Sequence, residues 1–187
     1  MTKLKILGVV TGLACAAALA FLYSGWYDVG ADASQAPFAR WARQTLVDRS
    51  VAHYAAGVMP PALDNPALVQ AGFTHYDAAC VSCHGAPGVA PAAFAGGLYP
   101  RAPGWATMAG RWSPPELFWI VKHGIKLSGM PAWTATDSDR DVWAVVAFLE
   151  RLPKLAPADY QALLQAAAFA KDHAPASGHP PPAAPAH

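Results

Sequence analysis

Charge is scarce in this chain. Only 13% of its 187 residues are Asp, Glu, Lys or Arg, and the formal net charge is +1. With no cluster of basic residues there is no electrostatic footprint for nucleic acid, whose phosphates demand one. Cysteine is scarcer still: three, an odd number, with Cys15 in an apolar run and the others together in Cys80-Val81-Ser82-Cys83-His84. That placement excludes a disulfide framework. No internal repeat is visible, the acidic residues are scattered, and no general-base constellation stands out. From Gly85 to Gly110 hydrophobic periodicity is missing too, and Gly and Pro are frequent. A loop that long is unusual inside a compact domain unless something orders it.

What is plentiful is large rings, with seven Trp, seven Phe and six Tyr, each of which needs a surface to pack on. One long uncharged run is also present, Ile6 to Tyr23, preceded by Lys3 and Lys5. As a helix of 18 residues it would extend about 27 Å, close to the ~30 Å hydrocarbon core of a bilayer. Two readings fit it. Ala18-Leu19-Ala20 resembles a signal-peptidase site, which would release a soluble secreted protein beginning at Phe21. The favoured reading is a retained anchor, because apolar residues continue past that site and Trp26 and Tyr27 sit where an aromatic belt would lie. Lys3 and Lys5 before the run, against Asp28 and Asp32 after it, put the N-terminus in the cytoplasm and the remainder in the periplasm, a single pass through a bacterial inner membrane. Cys15 reads as a small apolar membrane residue, since Gly12 stands where lipoprotein signals carry Leu.

The expected organisation is an anchor over 1–30, a juxtamembrane helix and linker over 31–63, a core domain over 64–158, a helix over 159–171, and a Pro/Ala/His tail over 172–187 too poor in apolar residues to order itself. Within 31–63 a helix is predicted from Ser34, as N-cap, to about Ala56, with Phe38, Trp41, Thr45, Val51 and Tyr54 near one face. It reads as a spacer packed on the domain, an interfacial or partner-binding helix being the other reading. In the core, helices are predicted from Pro66 to about Cys83, capped by Asp64 or Asn65; from Ser113-Pro114-Pro115-Glu116 to His123-Gly124; and from Asp137 or Ser138 to Leu152. A further helix runs from Pro157 to about Lys171.

Cys80, Cys83 and His84 carry the chemistry. At i, i+3 and i+4 they share a helical face. Two thiols so placed can add to the two vinyl groups on one edge of a porphyrin, with the imidazole beneath the plane as an iron ligand. A thioredoxin-type motif would want a βαβ context, and a zinc site a second ligand pair; neither is present. The motif therefore predicts one covalent haem c. For the other face of the iron, Met130 in Ser128-Gly129-Met130-Pro131 is the best candidate, with Met108 next and Met59 ahead of the domain. His53, His75 and His123 would give a bis-histidine site, but His75 shares the helix of the motif and His123 better suits a helix C-terminus. Met/His ligation raises the potential and closes the iron to substrate, so the chain is expected to be an electron carrier and not an enzyme. A labile sixth position would make it a ligand sensor or peroxidase-like enzyme instead.

With these residues in place, Asn65 to about Leu155 resembles the class I cytochromes c, in particular the bacterial membrane-anchored single-haem type that shares a domain with the cytochrome subunits of cbb3-type oxidases. The resemblance implies an all-α class I cytochrome c fold around one covalent haem, here with an N-terminal transmembrane helix. It implies that Gly72 and Tyr76 lie where the first helix crosses the Trp143-to-Phe148 stretch, and that Pro100 or Pro103 presents a carbonyl to His84. Tyr99, Trp105, Trp112, Trp119 and Trp133 would be haem-pocket or core rings. The implied partners are a dehydrogenase or quinol-oxidising complex as donor and a terminal oxidase or reductase as acceptor, met either as a free carrier or as a subunit. Two features depart from the minimal fold: the helix over 34–56 and the tail. A lysine ring is also missing, Lys122, Lys126, Arg101 and Arg111 being the nearby basic residues, so electrostatic steering is weakly expected.

Overall fold

The structure, a computed structural model, describes residues 2–33, 36–108 and 110–172. The tail over 173–187, with its three histidines, lies outside the described residues. The described chain is helical throughout and has no strand; Ala86 and Val89 form one isolated bridge.

Helix α1 (Thr2–Ser24) buries none of its residues and is long and apolar enough to cross a membrane, a test that a signal sequence also passes. Helix α2 spans Pro37–Ala55. It starts later than its sequence suggested: Ala36 occupies the N-cap and Pro37 opens the helix, its fixed φ already helical. Ser34, the expected cap, lies outside the described residues. The face expected to be inner is buried only in part. Val51 and Ala55 are buried, whereas Phe38, Trp41 and Tyr54 stay more than half exposed. The helix packs on α6 (Pro114–His123), with Tyr54 stacked on Trp119 at 5.7 Å and Asp48 bonded to Arg111 at 3.1 Å.

Helix α3 (Pro66–Ala79) is capped by Asn65, whose side-chain oxygen accepts from the Ala67 and Leu68 amides. The sequence suggested one helix through Cys83. The chain instead kinks at Cys80 (φ −110°) and resumes as a single turn, α4 (Val81–His84), closed by Gly85 at φ 67°. The Tyr76 hydroxyl donates to the Gly85 carbonyl at 2.6 Å and draws this turn back onto α3. The stretch expected to be loop contains a 3₁₀ segment, Ala93–Gly97, and a helical turn, α5 (Trp105–Met108).

Helix α6 opens with a reciprocal Ser113/Glu116 capping box, and α7 (Asp139–Leu149) with a Ser138/Asp141 pair of the same kind. Helix α7 ends three residues earlier than predicted. The Arg151 amide turns to Phe148 O, tightening the chain into a 3₁₀ segment at Leu152–Lys154. Helices α3 and α7 cross in intimate contact at Gly72, where a Cβ would collide with the Ala144 carbonyl and lie 2.9 Å from Phe148 Cβ. Two apolar clusters flank α7. One joins Phe73, Tyr76, Phe148, Leu152 and Tyr160; the other joins Leu117, Phe118, Val121, Val142, Val145 and Val146. Tyr160 belongs to α8 (Pro157–Asp172), is fully buried, and bonds Asp77 at 3.0 Å, so this last helix is packed into the same core as α3 and α7.

Candidate functional site

Between α3–α4, α6 and the loop that follows α6 lies a cavity of about 300 Å³. Its lining includes Cys80, Cys83, His84 and Met130, four residues that the chain sequence separates by up to half a hundred positions. The Cys80 and Cys83 thiols stand on the kink and on α4, joined by short-range bonds from the Cys83 and His84 amides to Cys80 O at 3.1 and 3.0 Å. Burial, followed by the nearby Asp137 charge, pushes the Cys80 thiol up to about 12. At neutral pH that sulfur carries its proton, unlike the low-pKa thiolates of disulfide-exchange motifs.

His84 Nδ1 lies 2.8 Å from the carbonyl oxygen of Pro103. A carbonyl only accepts, so Nδ1 must carry the hydrogen and Nε2 keeps its lone pair, the tautomer required of a ligating imidazole. Of the two prolines suggested by the sequence it is Pro103, not Pro100, that holds the ring, although both line the cavity. The carbonyl is held by its neighbours: Thr107 bonds Gly104 O through both its amide and its hydroxyl, which starts the turn of α5 directly after Pro103.

Met130 is half-buried against the Leu117 cluster. Its amide donates to Ser128 Oγ at 3.1 Å, Ser128 Oγ donates to Ile125 O at 2.7 Å, and the Ile125 amide returns to Met130 O at 3.2 Å. Gly124, at φ 64°, lets this closed loop lie against the end of α6; a Cβ there would clash with the Met130 and Pro131 carbonyls. Met108 lines the same cavity. The other ligand candidates do not: Met59 is exposed, His75 pairs with Asp137 at 3.2 Å, His53 sits edge-on to Tyr54, and His123 leans on Trp119. Among the expected pocket rings, Trp112 and Trp133 line the cavity, whereas Trp119 packs on α2 and Trp105 on the Phe73 cluster.

The sequence did not single out the wall that α2 supplies. Arg43, Gln44 and Val47 line the cavity, and Arg43 Nε is buried with no hydrogen-bond partner among the described residues. The only advance signal was the spacing of Arg40, Arg43 and Arg49 along one helix. A separate, more open depression lies beside Pro61, Leu68 and Trp143, with Arg140 as its one charged group and no nucleophile.

Residues 67–149 match the family model of cytochrome c oxidase, cbb3-type, subunit III. The match runs from the first turn of α3 to the last residue of α7; α1, α2 and α8 lie outside it. The chain has no match among the curated proteins or the solved structures compared.

Proposed function

We propose, for a chain whose residues 67–149 are a cbb3-type cytochrome c domain, that it holds one haem c through Cys80 and Cys83, ligates the iron with His84 and Met130, and transfers single electrons at the outer face of a membrane. The domain family itself carries haem-based electron transfer. The finer reading is supported above all by one observation: both cysteines, His84 and Met130 line a single cavity in which His84 is held as the Nδ1–H tautomer.

The residues fit the group. Cys80 and Cys83 would hold it by thioether bonds, each thiol giving its sulfur and its hydrogen to one vinyl double bond, an addition with no leaving group and no oxidant. Pro103 O orients His84 and raises the basicity of Nε2. The Ser128–Ile125–Met130 bonds hold the thioether loop with its slack removed, so little need move when the iron changes charge. When bound, the haem supplies a one-electron iron couple. Apolar walls from Leu98, Leu117, Ile120 and Val145 exclude water from it. Helix α1 would keep the domain at the membrane, facing the periplasm, as a carrier or as a cytochrome subunit between a dehydrogenase or quinol-oxidising complex and a terminal oxidase or reductase.

Haem staining after denaturing electrophoresis tests attachment: stain should persist at the mass of the chain and vanish in a Cys80→Ala/Cys83→Ala double variant. Met130→Ala should abolish the weak near-infrared iron–sulfur band and lower the potential. An unchanged spectrum and potential would move the ligand role to Met108 or reopen the ligand-sensor and peroxidase-like readings. Blue-native electrophoresis separates a subunit from a free carrier. N-terminal sequencing that begins at Phe21 would replace the anchor with a cleaved signal.

A further inference from the structure

We propose that α2, which lies outside the matched family stretch, completes the haem crevice, and that Arg43 holds a haem propionate there. This rests on the haem reading above. The titratable and charged groups that line the cavity are Arg43 from α2, Tyr76, Cys80, Cys83 and His84 from α3–α4, and Arg101 and Arg111 from the loops between α4 and α6; no Asp or Glu is among them. Most have an assigned partner or role. Tyr76 bonds Gly85 O, His84 bonds Pro103 O, and the two thiols are taken by the vinyl groups. Arg111 pairs with Asp48 at 3.1 Å, and Arg101 is exposed to water.

Arg43 is different. The residue is half-buried and lines the cavity, and its Nε is buried with no hydrogen-bond partner among the described residues. A guanidinium is tolerated out of water when an anion meets it, and its fork matches a carboxylate best. Haem would bring two carboxylates into a cavity lined by cations but by no Asp or Glu, and Arg43 Nε is the buried donor there, without a partner, for one of them. The helix is fixed well enough to present it, because Val51 and Ala55 are buried, Tyr54 stacks on Trp119, and Asp48 ties the same face to Arg111. A cation held beside the haem favours the reduced iron, so α2 sets the potential of the domain as well as covering its cofactor.

The test is spectroelectrochemical titration of the full-length holoprotein and of the variants Arg43→Gln, Arg43→Lys and Arg49→Gln, the last an exposed arginine of α2 that does not line the cavity. Covalent haem in the wild type tests the haem reading by itself; its absence sinks that reading before Arg43 is at issue. With haem present, Arg43→Gln should keep the absorption spectrum and shift the reduction equilibrium about tenfold toward the oxidised form, ~59 mV for a one-electron couple. Arg43→Lys should recover most of the shift and Arg49→Gln should show none. A potential in Arg43→Gln within twofold of the wild-type equilibrium, or an equal shift in Arg49→Gln, overturns the assignment. Should Arg43→Gln fail to accumulate with haem, Arg43→Lys decides: normal loading supports the ion pair, and loss of haem there too assigns Arg43 to packing alone.

Discussion

Gly72→Ala adds one methyl group at the crossing of α3 and α7, and its effect can be worked from the contact itself. The new Cβ would collide with the Ala144 carbonyl and stand 2.9 Å from Phe148 Cβ, where ordinary contact begins at 3.4 Å. Backbone cannot rotate aside, so the helices must part by about 1 Å, and a gap of that size forfeits about a quarter to a half of each dispersion contact across it. The interface that opens carries Phe73 and Tyr76 against Phe148 at ring separations of 5.6 and 5.4 Å. Overpacking of this kind costs about 1–3 kcal/mol, and the absence of a yielding side chain places Gly72 at the upper end. Replacing Gly by Ala inside a helix returns about 1 kcal/mol in propensity. The net expectation is a loss of about 2 kcal/mol, a fall in Tm of roughly 8–16 °C for a domain of this size. Thermal unfolding of the holoprotein, followed by far-ultraviolet and Soret circular dichroism, measures it. Gly96→Ala, with nothing within 4 Å of its Cβ position, should change stability by no more than about 0.5 kcal/mol. An unchanged or raised Tm in Gly72→Ala would refute the close-crossing argument.

Three further outcomes are expected. Hydrogen bonds from Ser138 hold the Asp141 carboxyl below its ordinary range. A depressed folded-state pKa adds stability that is present above the unfolded value of about 3.9 and is lost as pH falls through the folded one. Ser138→Ala should therefore cost about 1 kcal/mol at neutral pH, and the difference from wild type should shrink in denaturant titrations below about pH 4; a pH-independent difference would contradict the capping box. Tyr160→Phe removes the hydroxyl bonded to Asp77 while keeping the ring against Phe73, and should cost about 0.5–1.5 kcal/mol in urea unfolding; a loss above 3 kcal/mol would mean the ring packing had also failed. Gly124→Ala, blocked by the Met130 and Pro131 carbonyls, should displace the Met130 loop and weaken the near-infrared iron–sulfur band while leaving haem stain intact; an unaltered band would detach that loop from the iron.

Much of the fold can be read from local chemistry. Asn65-Pro66, Ser113-Pro114 and Ser138 with Asp141 mark helix starts because each cap is satisfied within four residues. Gly72 was identifiable from family resemblance, and its reason is now visible in the Ala144 carbonyl that passes beneath it. The features that eluded the sequence depend on contacts across long separations. The kink at Cys80 accompanies the bond from Tyr76 to Gly85, and the choice of Pro103 over Pro100 rests on which carbonyl the loop presents to His84. The inner side of α2 is only partly legible for the same reason. Val51 lies on the expected face and is buried, as is Ala55, but Phe38 and Trp41 of that face are left outside. Arg43 had nothing local to distinguish it from Arg40 or Arg49.

Twelve positions, 25 to 36, separate the end of α1 from the start of α2. Fully extended they reach at most about 40 Å. Were α1 set in a bilayer, that leash would confine the domain to a thin layer along the surface and would turn its search for a partner from a volume into a plane. Electrons would then pass only to acceptors whose docking faces lie within that layer. Lengthening or shortening the leash would then change which partners the protein could reach without altering a single residue of the candidate haem site.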